Sequence, residues 1–177
     1  VLPHKSVKAQ SSEEWYIPKP TSTGAAGTLE TGLRLQFSSD DESGLETERW
    51  DFIPNARFGV SDDIELYAEI PVTLVEQDVI DFLDVERKGS AGVGDLFVQG
   101  SYRFAGDVDW NLLGSIDVVL PTGENPFDNA VGTGSGFYAV SAGVTAVKIA
   151  DPVILFAGIG YEHRFERQFD TVTVTPS

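Results

Sequence analysis

Hydrophobic and polar residues alternate with a period of two along most of the chain, which is the pattern of β-strands with two different faces. In residues 28–37, for example, Leu29 and Leu33 fall on one face, whereas Glu30 and Arg34 fall on the other. Segments of this kind are bounded by Gly, Pro, Asp and Ser, which favour turns. We predict eight strands: residues 28–37, 50–60, 64–74, 95–104, 110–120, 136–149, 153–165 and 168–175.

The predicted connections alternate in length along the chain. Short turns are predicted at residues 61–63, 105–109 and 150–152, and long loops at residues 38–49, 76–91 and 121–135. Short turns at one end and long loops at the other are typical of barrels that span the bacterial outer membrane. We therefore predict an all-β fold, an antiparallel up-and-down transmembrane β-barrel. Its strands either close by themselves or form part of a larger barrel.

Charged residues are largely confined to one face of the predicted strands. In an outer-membrane barrel that face lines the lumen, and the apolar face contacts lipid. Alternation alone does not say which face is inside, so a soluble lipid-binding β-barrel with reversed faces is an alternative. The predicted lumen-lining residues are Glu30, Arg34, Asp51, Arg57, Glu65, Glu69, Arg103, Asp117, Glu162 and Arg164. Their mild acidic excess predicts a weak preference for cations, in a lumen that is either open or plugged.

Aromatic residues on the apolar faces fall near the strand ends and flank aliphatic residues. Two aromatic girdles around an aliphatic band are what the two interfaces of a bilayer favour. The predicted interfacial aromatics are Phe37, Trp50, Tyr161 and Phe165 near the long loops, and Phe58, Tyr102, Phe104 and Trp110 near the short turns.

The net charge of −16 argues against nucleic-acid binding, because a phosphate backbone requires a basic surface. Acidic residues concentrate at 38–48 and 76–86, where we predict solvated loops or outward-facing loops that bind divalent cations or repel anions. Cysteine is absent, and His4 and His163 are the only histidines, which leaves little for a catalytic triad or a metal site. Glu65 and Glu69 lie four residues apart on one strand face, roughly 13 Å, too far for a glycosidase pair. We therefore expect neither enzymatic activity nor a cofactor.

Residues 1–27 lack the alternation of the strands, and we interpret them as an N-terminal periplasmic arm or a plug-like segment. Residues 28–177 then supply the barrel strands. The chain does not begin with Met, which we interpret as a processed or trimmed end. Its last residues, TVTVTPS, leave open whether these strands are a fragment or a complete small barrel.

Three motifs follow one another in a specific order: GVGDLFVQGSYRF at residues 92–104, IDVVLPTG at 116–123 and GTGSG at 132–136. They resemble an outer-membrane β-barrel family named for the meta-pathway of phenol degradation, and GIGYEHRF at residues 158–165 resembles the next strand of that family. The resemblance implies a channel or transporter in the bacterial outer membrane, surrounded by its lipids, for small hydrophobic or aromatic solutes. A structural or adhesive barrel that acts through long extracellular loops is the alternative. The sequence specifies neither the substrate nor the oligomeric state.

Overall fold

A computed structural model describes residues 23–42, 45–81, 84–107, 109–125, 132–165, 167–169 and 172–174. The regular structure in these residues is entirely β. Their strands are β1 (Leu29–Glu42), β2 (Leu45–Gly59), β3 (Ile64–Glu69), β4 (Val72–Asp81), β5 (Asp84–Val93), β6 (Leu96–Gly106), β7 (Trp110–Leu120), β8 (Ala139–Ala150), β9 (Val153–Arg164), β10 (Arg167–Phe169) and β11 (Val172–Val174). Within the same residues, no helix has both the length and the apolar composition to cross a membrane.

The strands β1 to β9 form one antiparallel sheet. β3 and β4 behave as one long strand, because β3 pairs with the second half of β2 and β4 with the first half. β5 and β6 form the next long strand, in which β5 pairs with β4 and β6 with β3. The chain therefore runs up and down through seven long strands, each beside the next. The predicted all-β, antiparallel up-and-down arrangement is confirmed.

The sheet formed by the described residues is open. In this part of the chain, β1 pairs with β2 alone, and β9 pairs with β8 alone. Closure into a barrel, which the sequence predicts, is therefore not achieved by these strands.

The breaks within the two divided strands lie on one line across the sheet. The amide of Ile70 donates to the carbonyl of Pro54 at 3.3 Å, and the amide of Gly94 donates to the carbonyl of Pro71 at 2.7 Å. Proline has no amide proton for the ladder, so regular pairing is interrupted at Pro54 on the side of β3 and β4, and at Pro71 on the side of β5 and β6. On its other side, Pro54 stays in register with Leu33 of β1. A Cβ at Gly94 would lie 2.6 Å from Cγ of Pro71, so only glycine fits at this crossing.

Two of the predicted long loops are β-hairpins instead. β1 and β2 stay paired as far as Glu42 and Leu45, and β4 and β5 as far as Asp81 and Asp84. The loop predictions were wrong because charged residues on both faces hide the alternation, whereas the hydrogen-bond ladder joins backbones and does not require apolar side chains. The short turn at residues 61–63 is confirmed, whereas β6 extends to Gly106 and β8 to Ala150, so that both strands reach into the other two predicted turns. The described residues of the third predicted loop, 121–125 and 132–135, contain no strand.

The predicted eighth strand at residues 168–175 is also corrected. β10 and β11 pair with each other, with Arg167 opposite Val174, and form a separate two-stranded sheet. Alternating Thr and Val favour extended backbone, but they do not specify which strand becomes the partner. Local pairing satisfies the same preference as addition to the main sheet.

Candidate functional site

The main sheet has one apolar face and one face that carries the charged residues together with buried apolar ones such as Ile53, Val75 and Leu113. Its register keeps the two faces apart from strand to strand. One row joins Phe37, Trp50 and Leu74 on three neighbouring strands, and the next row along β2 and β4 joins Asp51 and Thr73. We call the face of Trp50 the outer face and the face of Asp51 the inner face. The register of β8, which the sequence left open, places Val140, Ala142 and Val144 on the outer face.

The inner face is the more buried of the two, although it carries the charges. Glu65 is 2% exposed and Thr73 is fully buried, whereas Leu66 and Leu74, their neighbours in the chain, are 47% and 43% exposed. A water-soluble protein places its charged residues outside and its large apolar residues inside. This sheet has the opposite arrangement over most of its width.

A first ion pair on the inner face joins Arg57 on β2 to Glu65 on β3. Nε of Arg57 lies 3.3 Å from Oε1 of Glu65, and the amide of Gly24 donates to Oε2 of Glu65 at 2.9 Å. A Cβ at Gly59 would clash with the carbonyl oxygen of Ala25, so the backbone of residues 24–25 lies directly against the inner face. The described end of the predicted N-terminal arm therefore contacts this face, while residues 1–22 lie outside the described part of the chain.

A second group on the same face contains Glu69, Arg34 and Tyr67. Nη2 of Arg34 on β1 lies 3.4 Å from Oε1 of Glu69, and the hydroxyl of Tyr67 donates to Oε2. Both carboxylate oxygens of Glu69 thus have a donor, so that its charge is compensated although its side chain is only 13% exposed.

Asp51 and Asp117 lie at the centres of two further groups on the inner face. Nε of Arg49 donates to Oδ2 of Asp51 at 2.9 Å, and the hydroxyl of Thr73 donates to Oδ1. Nε2 of Gln99 donates to Oδ1 of Asp117 at 2.7 Å, and the hydroxyl of Ser141 donates to Oδ2 at 2.9 Å. Each carboxylate therefore bridges neighbouring strands.

The remaining predicted charges are more exposed. Nη2 of Arg103 lies 2.8 Å from Oδ1 of Asp63, in the short turn before β3, and Nε of Arg164 lies 2.6 Å from Oε1 of Glu162. Glu30 lies on the inner face of β1 opposite Arg57, with its side chain exposed. All ten predicted residues thus occupy the inner face.

Sequence reasoning missed several partners of these residues: Arg49, Asp63, Thr73, Gln99 and Ser141. A signal was present for Arg49, because it lies two residues before Asp51 and therefore on the same face of an extended strand. It was assigned to a loop instead. The ten predicted residues comprise six carboxylates and four arginines, and Arg49 adds a fifth arginine to the inner face. The excess of carboxylates over arginines in this set is therefore one and not two.

The eight predicted interfacial aromatics are all exposed, with between 42% and 73% of each side chain accessible. Phe37 and Trp50 lie opposite each other across β1 and β2, with ring centroids 4.5 Å apart. Tyr102 and Phe104 make an edge-to-face contact at 5.0 Å near the short turns. The outer face therefore has one row of aromatics towards the long hairpins and one towards the short turns.

The three sequence motifs meet at Asp95, between β5 and β6. Oδ2 of Asp95 accepts hydrogen bonds from the amide and the hydroxyl of Ser135, both at 2.6 Å, and Oδ1 accepts one from the amide of Gly123 at 3.2 Å. A Cβ at Gly134 would lie 2.9 Å from the Cα of Gly123 and would also clash with Asp95. The glycines and the aspartate of these motifs thus make the close approach of three chain segments possible.

Within the described residues, no group of three or more His, Asp or Glu side chains is arranged to hold a metal ion. The acidic segments at 38–48 and 76–86 belong largely to the hairpins β1–β2 and β4–β5. Binding of divalent cations there stays a prediction.

Together these features define the class of the protein: an antiparallel, up-and-down β-sheet protein with a charged, internally paired inner face and an exposed apolar outer face. Residues 19–174 match the family described as "Putative MetA-pathway of phenol degradation". The chain belongs to this family. The family resemblance predicted from the motifs is confirmed, and the match extends over the strands that precede them.

Proposed function

We propose that this chain forms the wall of an outer-membrane β-barrel channel through which small solutes pass passively. The inversion of the two faces carries the proposal. Lipid solvates an apolar face, whereas a lumen accommodates charges that are paired with one another. A soluble lipid-binding barrel would require the reverse, with apolar side chains enclosed and charges outside.

The spacing of the aromatic rows supports a bilayer as the environment of the outer face. Trp50 and Phe58 lie at the two ends of the apolar stretch of β2 and are separated by eight residues, or ~26 Å along the strand. With a strand tilt of about 40°, this gives ~20 Å along the membrane normal, close to the ~25 Å apolar band of such barrels. Between them lie Phe52, Pro54 and Ala56, which carry no charge.

Closure is a requirement of the proposal. In lipid every backbone amide and carbonyl needs an internal partner, so the outer edges of β1 and β9 must each be paired. Bacterial single-chain barrels have an even number of strands, and the described sheet has seven long ones. The proposed barrel therefore includes at least one strand beyond these seven.

The inner face suggests how solutes are selected. The ion pairs hold their side chains against the wall, and the small excess of carboxylates favours weak cation selectivity. The family's association with phenol degradation suggests small aromatic compounds as cargo. Transport of this kind needs no catalytic group, and we propose that the protein is not an enzyme.

The proposal is tested with the purified full chain in two steps. A membrane barrel should require detergent and should migrate faster on a detergent gel before heating than after it. Reconstituted in a planar bilayer with a KCl gradient, it should give stable conductance steps with a modest preference for K⁺, and phenol should reduce the current. A protein soluble without detergent would contradict the membrane assignment. Anion selectivity or absence of conductance would contradict the channel, and an unaffected current would contradict aromatic cargo.

A further inference from the structure

The described residues of the connection between β7 and β8 lie against the sheet. They are residues 121–125 and 132–138. The hydroxyl of Thr122 donates to the carbonyl of Gly94 at 2.7 Å, and the hydroxyl of Thr133 donates to the carbonyl of Val93 at 2.8 Å. The amide of Glu124 donates in turn to the Thr133 hydroxyl at 3.0 Å. The arm that contains Thr122 is therefore attached to Gly94, and the arm that contains Thr133 is attached to Val93, the last residue of β5.

The attachment is on the inner face. Gly92 pairs with Thr73 and so belongs to the inner face, and a Cβ placed on Gly92 would lie 3.3 Å from the Thr133 hydroxyl oxygen. Thr73 and Thr133 are both fully buried. Ser90, two residues before Gly92 and on the same face, donates its hydroxyl to Oε2 of Glu124 at 3.2 Å. Thr133 thus covers the inner face of β5 at Gly92, and Glu124 places a carboxylate against the same face at Ser90.

Glu124 is placed at the same level as a positive charge. Ser90 pairs with Val75, and Val75 pairs with Arg49, so these three residues form one inner-face row across β5, β4 and β2. Two strand spacings separate the backbones of Ser90 and Arg49, roughly 10 Å. A carboxylate and a guanidinium therefore flank the same level of the inner face.

From these observations we infer that residues 121–125 and 132–138, the described part of the β7–β8 connection, form a constriction folded into the lumen, and that Glu124 is its specificity-determining residue. This inference rests on the proposed channel function. It adds where along the lumen the channel is narrowest and which charge lies there. Asp95 is a positioning residue for the constriction, because its carboxylate receives hydrogen bonds from Gly123 and Ser135 on the two arms. Small cations are the solutes that Glu124 favours.

A disulfide tests the inward placement without reference to transport. The chain has no cysteine, so introduced pairs form no other intramolecular disulfide. An ideal Cβ at Gly92 lies 3.9 Å from the Cβ of Thr133, which matches disulfide geometry. Gly92→Cys with Thr133→Cys should therefore crosslink under mild oxidation in the reconstituted full chain. The matched control is Val93→Cys with Thr133→Cys, because residue 93 points to the outer face and should not crosslink. Failure of the first pair, or equal crosslinking of both, would overturn the inward placement.

The selectivity role is tested by Glu124→Gln in planar bilayers. The ratio of K⁺ to Cl⁻ permeability should fall about two-fold or more relative to the wild-type protein. Glu48→Gln is the control, because Glu48 lies on the outer face of β2 beyond Trp50 and should leave the ratio unchanged. An unchanged ratio in Glu124→Gln would overturn the assignment of Glu124. If the wild-type protein does not conduct although the disulfide forms, the proposed channel and the role of Glu124 fail together, and the inward fold of the connection stands.

Discussion

Glu65 and Leu66 are adjacent in β3 but have opposite environments. Glu65 is 2% exposed and lies 3.3 Å from the guanidinium of Arg57, whereas Leu66 is 47% exposed. In a strand, successive side chains point to opposite faces, so Glu65 lies on the inner face of the sheet and Leu66 on its outer face. A buried, paired carboxylate beside an exposed leucine is the arrangement that the proposed membrane barrel requires of its wall.

Removal of Arg57 should destabilise the protein strongly. In Arg57→Met the carboxylate of Glu65 keeps the Gly24 amide but loses its ionic partner at a buried position, which costs about 3 kcal/mol in comparable cases. Urea unfolding of the protein folded in lipid vesicles, followed by tryptophan fluorescence, measures the change.

The matched control for this prediction is Arg164→Met. The pair of Arg164 and Glu162 has side chains 55% and 46% exposed, so its loss should cost less than about 1 kcal/mol. Equal effects of the two substitutions would contradict the view that the inner face at β2 and β3 is enclosed.

A positive charge at Ile116 should distinguish lipid from water as the environment of the outer face. Ile116 is 62% exposed and lies near the middle of β7. In water, Ile116→Arg would change stability by less than about 0.5 kcal/mol, as at other exposed sites. At the centre of a bilayer the same substitution costs about 2–4 kcal/mol. Urea titration in vesicles should show the larger loss.

Val153→Arg is the depth control for Ile116→Arg. Val153 is 51% exposed on β9 and comes directly after a short turn, so that it lies near the proposed interface. Its substitution should cost about 0–1 kcal/mol in vesicles. If both variants are as stable as the wild-type protein, the outer face does not contact hydrocarbon.

The sequence predicted both faces of the sheet correctly wherever apolar residues alternated with polar ones. The face to which a side chain points depends only on its odd or even position in the strand, so the two faces of each strand can be assigned from its own residues. The pairing register then has to bring the like faces of neighbouring strands together. The strand β7 was predicted with its observed bounds, Trp110–Leu120. The same alternation predicts that Glu65 and Arg57 both lie on the charged face, without any knowledge of how their strands pair.

The sequence did not predict β5, the full hairpins or the attachment of the β7–β8 connection. In β5, Lys88 is followed by Gly89 and Ser90, residues that are common in loops, so the local pattern does not reveal the pairing of this strand with β4. The contact between Asp95 and Ser135 joins residues 40 positions apart in sequence. Such a contact depends on how three segments meet in space, which no local pattern records.

Gly134 should not tolerate a side chain. In Gly134→Ala the new Cβ would lie 2.9 Å from the Cα of Gly123 and would press on the carboxylate of Asp95. Overpacking of this kind typically costs about 1–3 kcal/mol. The change is measured as a lower temperature for the mobility shift on a detergent gel. Gly89→Ala is the control, because the nearest atom to its new Cβ would be 3.5 Å away. A wild-type transition temperature for Gly134→Ala would contradict the close approach at Asp95.

Trp50 and Trp110 should lie at the two bilayer interfaces. They belong to opposite aromatic rows on the outer face and are 48% and 42% exposed. Indole rings favour the level of the headgroups, where the apolar ring and its polar N–H are both accommodated. In variants with a single tryptophan, lipids brominated near the carbonyl should therefore quench fluorescence more than lipids brominated near the chain end. Ile116→Trp, in a chain whose native tryptophans are replaced by phenylalanine, should show the reverse order, because this position is near the mid-plane. Equal quenching of all three by both lipids, or none, would show that the two aromatic rows do not flank a bilayer.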